Sequence, residues 1–316
     1  MDIMNRTQVT MFVLSGLTDN EKLIPFLFIF LLLLYLMAIV GNIGIITLIC
    51  NTSRLHSPMY YFLGFLSLID VFYSSNITPK MIFDLISVEK VITYNCCALQ
   101  LFLFGALGGS ENFLLSTMSY DRYVAICHPL HYVSIMTRTK CFSLVSVVFF
   151  VGFLQSSVSI GCTFSLQFCG SNLIDHFYCD FQPLVKLSCS DTFYCNMMTR
   201  YIIGILTIVP FLAIIFSYLF IIISVLRMKS VEGIKKAFST CSSHLMCTSL
   251  FYITLFITYL HPPSNVITTQ ERVTAVFYVV VTPMLNPLIY TLRNQEIKRA
   301  LSNKCIKKKV SCDSFT

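Results

Sequence analysis

The chain has 316 residues, of which 56% are hydrophobic and only 12% charged, with no Trp and a formal net charge of +7. A soluble domain carries about 25% charged residues, so a chain this apolar cannot cover its own surface in water, and lipid is the solvent it requires. The positive balance does not point to nucleic acid, because the charges gather on one side of a series of apolar segments.

Met1 to Glu21 is mixed and polar. It lacks the basic stretch, short apolar core and small-residue site of a cleaved signal peptide. Asn5-Arg6-Thr7 is a glycosylation sequon that has meaning only if this end lies outside the cell. Asn51-Thr52-Ser53 falls on the opposite side, and Asn76-Ile77-Thr78 lies within or beside a span. Seven apolar segments follow, near 23–50, 58–86, 96–127, 141–164, 194–228, 236–260 and 272–292. Each approaches or exceeds the ~20 residues a bilayer span needs. The second and third are the least uniform, because they carry Asp70 and Glu111. No linker and no internal repeat divides the chain. The expectation is one seven-transmembrane, all-α domain over 1–316: an extracellular N-terminus (1–22), a helix bundle (23–292) and a cytoplasmic tail (293–316).

Charge sets the orientation. Fifteen of the 22 Lys and Arg fall on the side of Arg54, Arg122, Arg138, Lys140 and the tail. Basic residues collect on the cytoplasmic side of membrane proteins, which predicts the N-terminus outside and the C-terminus inside. In the tail, Arg293, Lys298 and Arg299 with Ile297 and Leu301 suit a short helix lying on the inner leaflet; a disordered basic tail is the alternative.

Cysteines gather on the outer side, where Cys96 and Cys97 open the third span and the longest loop, 165–194, holds Cys169, Cys179 and Cys189. Cysteines in an oxidising compartment usually pair. Cys50, Cys127, Cys141, Cys241 and Cys247 fall in spans or on the inner side, as small buried hydrophobes.

The segment Met118-Ser-Tyr-Asp-Arg-Tyr-Val-Ala-Ile-Cys-His-Pro-Leu-His-Tyr132 closes the third span. An Arg at such a helix end is costly without a partner or a task, and Asp121 stands directly before Arg122. Other stretches join it: Gly41-Asn42, Leu55 to Asp70 with its Ser-Pro-Met-Tyr-Tyr-Phe-Leu core, Ser217-Tyr218, Lys236 to Leu245 around Phe-Ser-Thr-Cys-Ser-Ser-His, and Pro283-Met-Leu-Asn-Pro-Leu-Ile-Tyr290. In this order and spacing the set resembles the vertebrate olfactory receptor family, a branch of the rhodopsin-like G protein-coupled receptors. The tryptophans of the fourth and sixth spans, usual in the wider group, are absent, and Tyr252 stands where the sixth-span Trp would be. Olfactory receptors share those absences.

The resemblance implies roles for particular residues. Asp121, Arg122 and Tyr123 form the latch toward the G protein: Arg122 is held by Asp121 at rest and swings into a gap opened by the sixth span, with Tyr218 and Tyr290 stabilising the open form. Asn286 and Pro287 make a kink with a polar neighbour, suited to a hinge. Asp70 and Glu111 are mid-membrane carboxylates, Glu111 about 16 Å along the helix from Arg122. With Asn42, Ser116 and Asn286 they hold either a sodium ion or a shared proton. No other metal or cofactor is expected. Cys97 with Cys179 matches the family's bridge to the third span, Cys169 with Cys189 is the loop's second bridge, and Cys96 stays open as an alternative in the first.

The ligand site is expected in the outer half of the third, fifth, sixth and seventh spans. Phe104, Gly105, Gly108, Gly109 and Asn112 share one face of the third span. Its glycines serve either close packing or a wider pocket above Asn112. Family positions add Ile202, Ile203, Leu206 and Thr207, then Leu255, Phe256 and Tyr259, then Val276 and Val279. That lining is apolar, with hydrogen-bonding tips at Asn112, Thr207 and Tyr259 and no charged group. It predicts a small, neutral, mostly apolar volatile with one polar group. The implied function is an odorant receptor of the plasma membrane, not an enzyme, which binds such a ligand and raises cyclic AMP through a stimulatory olfactory-type G protein. A non-olfactory chemosensory receptor of the same fold, or a transporter, is the alternative; against a transporter stands the lack of an inverted repeat.

Overall fold

A computed structural model describes residues 9–18, 20–169, 171–228, 230–259 and 269–302. Its long helices are α1 (Ile24–Cys50), α2 (Pro58–Ile86), α3 (Tyr94–Cys127), α5 (Arg138–Phe164), α7 (Phe193–Leu226) and α8 (Val231–Tyr259). The seventh span is composite: α9 (Thr269–Val276), a π-helical turn (Phe277–Val281) and α10 (Thr282–Arg293). Short helices α4 (Tyr132–Ile135) and α6 (Phe181–Lys186) sit in the connections. A further helix covers 295–302.

Six of the seven spans are long and apolar enough to cross a membrane by length and composition. The exception, α2, turns a polar face inward, burying Ser67, Asp70, Ser74, Thr78 and Asp84. Near its end Lys80 donates to Asp84 one turn on, so each charge offsets the other. Outward faces are apolar: Phe26, Val40 and Phe150 are each about two-thirds exposed and suit lipid contact. Chain punctuation follows local chemistry. Pro25 and Pro58 stand in first helical turns, where a missing N–H costs nothing, and the Thr93 and Thr137 hydroxyls cap α3 and α5 by accepting from Cys96 and Lys140 amides.

α3 is the central helix, packed on α2, α5, α7 and α8, while α1 packs on α2 and α10. Lipid tails give no hydrophobic drive between helices, so small residues and polar bonds decide the seams. At Gly152 of α5, an added Cβ would stand 2.6 Å from the Ala106 carbonyl oxygen and 2.8 Å from the Ser110 nitrogen, so only glycine permits this α3–α5 approach. Asn42 of α1 donates its amide to the carbonyls of Ala38 and, across the seam, Pro283, both at 2.9 Å.

One end of the bundle carries a lid. Strand β1 (Met11–Leu14) lies between β2 (Val91–Thr93), antiparallel, and β3 (Leu173–Ile174), parallel. The polar N-terminal segment is therefore partly built into the fold, which its composition did not suggest. Three disulfides close this end: Cys97–Cys179, Cys169–Cys189 and Cys162–Cys195. The third joins the end of α5 to the start of α7 and was not anticipated. Cys96 is exposed and free, so it takes no part in the first bridge. At the other end Asn294 accepts from the Tyr60 hydroxyl at 3.0 Å and from the Glu296 and Ile297 amides, which starts the helix over 295–302 and docks it on α2. Ile297 of that helix is fully buried against the bundle, an anchoring the tail's sequence left open. Asn5 lies outside the described residues.

Candidate functional site

Beneath the lid lies a cavity of about 90 Å³. An engineered cavity of about 150 Å³ holds benzene, so this one accepts a very small ligand as it stands and a larger one only if side chains shift. Of the predicted wall, Phe104, Gly105, Gly108, Gly109, Asn112, Ile203, Thr207 and Leu255 do line it. Ile202, Leu206, Phe256, Val276 and Val279 do not. Val279 is fully buried in the core, and Phe256 packs edge-on to Phe211 at 5.4 Å. Tyr259 ends α8, with its side chain outside the described ones.

The glycines of α3 serve both suggested purposes. A Cβ at Gly105 would come within 2.8 Å of Ser156 Oγ, and one at Gly109 within 2.9 Å of Gln155 Nε2. These glycines let α5 approach and leave open the space that the cavity occupies. That approach brings in a wall the sequence reading missed, Gln155, Ser156, Ser159 and Ile160 of α5. The signal was present as a polar Gln155-Ser156-Ser157 run inside an apolar span.

The expectation of an uncharged wall is overturned, since Asp180 and Phe181 of the lid line the cavity. Cys179 is bonded to Cys97, and its amide donates to Gln100 Oε1 at 3.0 Å, so the next residue is held over α3. Asp180 accepts the Phe181 amide at 2.8 Å. Burial lifts its carboxyl to about 6, and the Phe181 amide only partly counters that. Phe104 and Tyr278 add aromatic wall, and two further rings pack on them: Tyr178 of the lid meets Phe104 at 5.3 Å, and Tyr73 meets Phe104 at 5.3 Å and Tyr278 edge-on at 5.6 Å.

Asn112 is placed at the cavity but is already occupied. Its Nδ2 donates to the Leu206 carbonyl at 3.0 Å, and its Oδ1 accepts from the Tyr252 hydroxyl at 2.5 Å. One amide thus joins α3, α7 and α8. Two turns further along α8, His244 contacts the Leu115 carbonyl of α3 through Nε2 at 3.1 Å and the Tyr218 hydroxyl of α7 through Nδ1 at 2.6 Å.

At the far end of α3, Arg122 is paired with the fully buried Asp121, whose other oxygen accepts from Tyr132 at 2.8 Å. Tyr123 instead meets His128 at 3.2 Å. Tyr290 is fully buried, and Tyr218 is engaged with His244 rather than Arg122. Pro287 lies within a continuous α10, and the π-helical turn adds a second irregularity ten residues earlier. Between the ends, Asn286 donates to both oxygens of Asp70 at 3.3 and 3.1 Å. Glu111 is buried near enough for its charge to act on Asp70. No group of three or more His, Cys, Asp or Glu suited to a metal occurs among the described residues.

The arrangement defines a membrane protein of the seven-helix type, with a lidded cavity at one end and the buried Asp121–Arg122 pair at the other. Its fold is similar to that of squid rhodopsin (TM-score 0.67, 18% identity, covering 93% of this chain and 88% of that one). The family described as "Olfactory receptor" matches residues 31–308. Human olfactory receptor 5B12 is 47% identical over 97% of this chain and 98% of its own length. Mouse olfactory receptor 5AP2 is 48% identical over 94% of each. The chain belongs to the olfactory receptor family. It is a multi-pass plasma membrane receptor for odorants that couples to G proteins, and not an enzyme.

Proposed function

We propose that this receptor binds a small, neutral, mostly apolar volatile in the cavity under the lid and activates a stimulatory olfactory-type G protein at the Arg122 end, raising cyclic AMP. The lid then faces outward and the helix over 295–302 lies inside the cell. The basic residues Arg54, Arg138, Lys140, Arg293, Lys298 and Arg299 gather at the Arg122 end, which supports this orientation. No Lys or Arg lines the cavity, and much of its wall is apolar or aromatic, which favours a neutral ligand over a carboxylate.

The observation that carries the reading is the path from Asn112 to Arg122. A ligand that disturbs Asn112 acts on its bond to Tyr252, and so on the hold of α3 over α8. The next hold along α8 is His244, on Leu115 and Tyr218. Release of both lets α8 leave α3, freeing Tyr218 and opening space for Arg122 to exchange Asp121 for a G protein. The ligand needs only to bind the open form better than the closed one.

A sodium ion at Asp70 and Glu111 fits the resting form. The Oδ1 atom of Asn286, whose Nδ2 binds Asp70, is a buried acceptor with no partner, and hard cations take oxygen donors. Two carboxylates and this amide oxygen suit a cation better than a single shared proton, which would leave the amide oxygen unmatched.

A cyclic AMP reporter with a panel of neutral volatiles tests the reading. The expected result is a response that Arg122→Ala abolishes at unchanged surface level and that Asn112→Ala shifts in potency. A full response from Arg122→Ala would remove the latch from the mechanism.

A further inference from the structure

The cavity wall is mixed. Phe104, Phe251 and Tyr278 give it aromatic surface, with Tyr278 6.1 Å from Phe104 and 6.0 Å from Phe251 between ring centroids; Asp180, Thr199, Ser159 and Gln155, from three separate segments, give it polar side chains. Hydrogen bonding of these polar side chains is incomplete. Thr199 is 2% exposed and its hydroxyl has no partner, and the Ser159 hydroxyl is also buried and unpartnered. Asp180 accepts the Phe181 amide on Oδ1 alone and forms no ion pair among the described residues. A buried polar group left unpaired costs about 1–3 kcal/mol, so a ligand that completes this set gains what an apolar ligand of equal size does not.

The missing partner has a definite character. A carboxylate oxygen can only accept, so the ligand must donate to it. The Thr199 and Ser159 hydroxyls can donate in return. An alcohol hydroxyl does both at once; an ether, ester or ketone oxygen only accepts and would face the carboxylate with a lone pair. An ammonium donates without accepting, and needs its charge stripped of water before it reaches the pair.

We propose that the cavity reads the polar group of its ligand as a hydrogen-bond donor, selecting small alcohols over acceptor-only volatiles through Asp180, with Thr199 and Ser159 completing the hydroxyl's bonds. This rests on the cavity being the odorant site proposed above. The alcohol's carbon chain lies against Phe104, Phe251 and Tyr278, and the limited volume favours short chains.

The test compares homologous series of short primary alcohols with methyl ethers, methyl ketones and primary amines of equal heavy-atom count, in the full-length receptor with the cyclic AMP reporter. The quantity read is the ratio of alcohol to ether potency within each variant, which surface expression does not alter. The expected wild-type ratio is about tenfold or more. Asp180→Asn keeps the cap on α6 yet lowers the ratio toward one, and Thr199→Val lowers it several-fold; if Asp180→Asn does not reach the surface, Thr199→Val carries the test. Lowering external pH through about 6 protonates Asp180 and lowers the wild-type ratio as well. Ethers or ketones as potent as alcohols would overturn the donor rule and leave the odorant site standing. An amine outranking the alcohol would uphold the donor rule and overturn the neutral-ligand reading. Silence across every series with receptor at the surface would overturn both.

Discussion

The two ends of the bundle are held by different chemistry. The lid end is fastened by three disulfides and a three-stranded sheet. Arg272 at the start of the seventh span adds bonds to Gly16, Ser15 and Asp175. The Arg122 end has no disulfide among the described residues; it relies on the Asp121–Arg122 pair, Tyr132 on Asp121, His244 with Tyr218, and Tyr60 on Asn294. Each such bond is worth about 0.5–1.5 kcal/mol net, more when charged, so the set can be exchanged by a shift of a few kcal/mol. The covalent end can keep its shape while a ligand comes and goes, and the reversible end can open in response.

The largest effect should follow from breaking the covalent end. Cys97 and Cys179 are 82 residues apart, and closing so long a loop is worth about 4–5 kcal/mol in the chain-entropy view. The double variant Cys97→Ser, Cys179→Ser should lose most surface receptor, counted by antibody on unpermeabilised cells. Because that bridge also holds Asp180 over the cavity, the receptor that does arrive should respond poorly. Normal surface level and potency would erase the contrast between the ends.

A smaller effect of opposite sense is expected at the reversible end. Asp121→Asn keeps an acceptor for Tyr132 but removes the charge that holds Arg122. Both side chains are nearly inaccessible, and unpairing a buried charge costs about 3–5 kcal/mol, here falling mainly on the resting form. Ligand-independent cyclic AMP should rise several-fold at equal surface level. A basal signal at or below wild type would mean that Asp121 does not restrain Arg122.

The contrast between the ends also marks what the sequence discloses. Span positions were legible because apolar length is a direct physical requirement of the bilayer, and even α2 with its Asp70 was legible from its neighbours. Spacing alone put Phe104 to Asn112 on one helix face, and the family resemblance implied that this face meets the cavity, which it does. Contacts between distant segments were not legible. Asp180 reaches the cavity because a disulfide pins its neighbour, and Gln155 because Gly109 and Gly152 let α5 come close. Asn112 read as a free polar contact, whereas Tyr252 and Leu206 already hold it. Side-chain partnership depends on three-dimensional approach, which periodicity does not encode.

The smallest expected effect concerns the lid's response to acid, where two groups act in opposite senses. His176 is buried, and burial together with the nearby Arg272 depresses its imidazole to about 3. Its contribution is present above the unfolded value near 6.5 and is lost as pH falls from there toward 3, because only the unfolded chain takes the proton. Asp180 is raised to about 6, so its contribution is present below the unfolded value near 3.9 and is lost as pH rises through 6. Taking the receptor from pH 7.4 to 5.5 should therefore cost about 1 kcal/mol at His176 and return less at Asp180, because pH 5.5 lies well below the imidazole's unfolded value but only just below the carboxyl's folded one. The net loss should lower the melting temperature by about a degree. Replacing His176 by Phe removes the cost and leaves the Asp180 gain, so the sign should invert and the variant should melt slightly higher at pH 5.5 than at 7.4. Melting curves of the purified receptor at the two pH values, wild type against His176→Phe, check this. The same fall in pH for both would mean that acid acts elsewhere than on His176, and that the lid is no more acid-sensitive than the rest of the bundle.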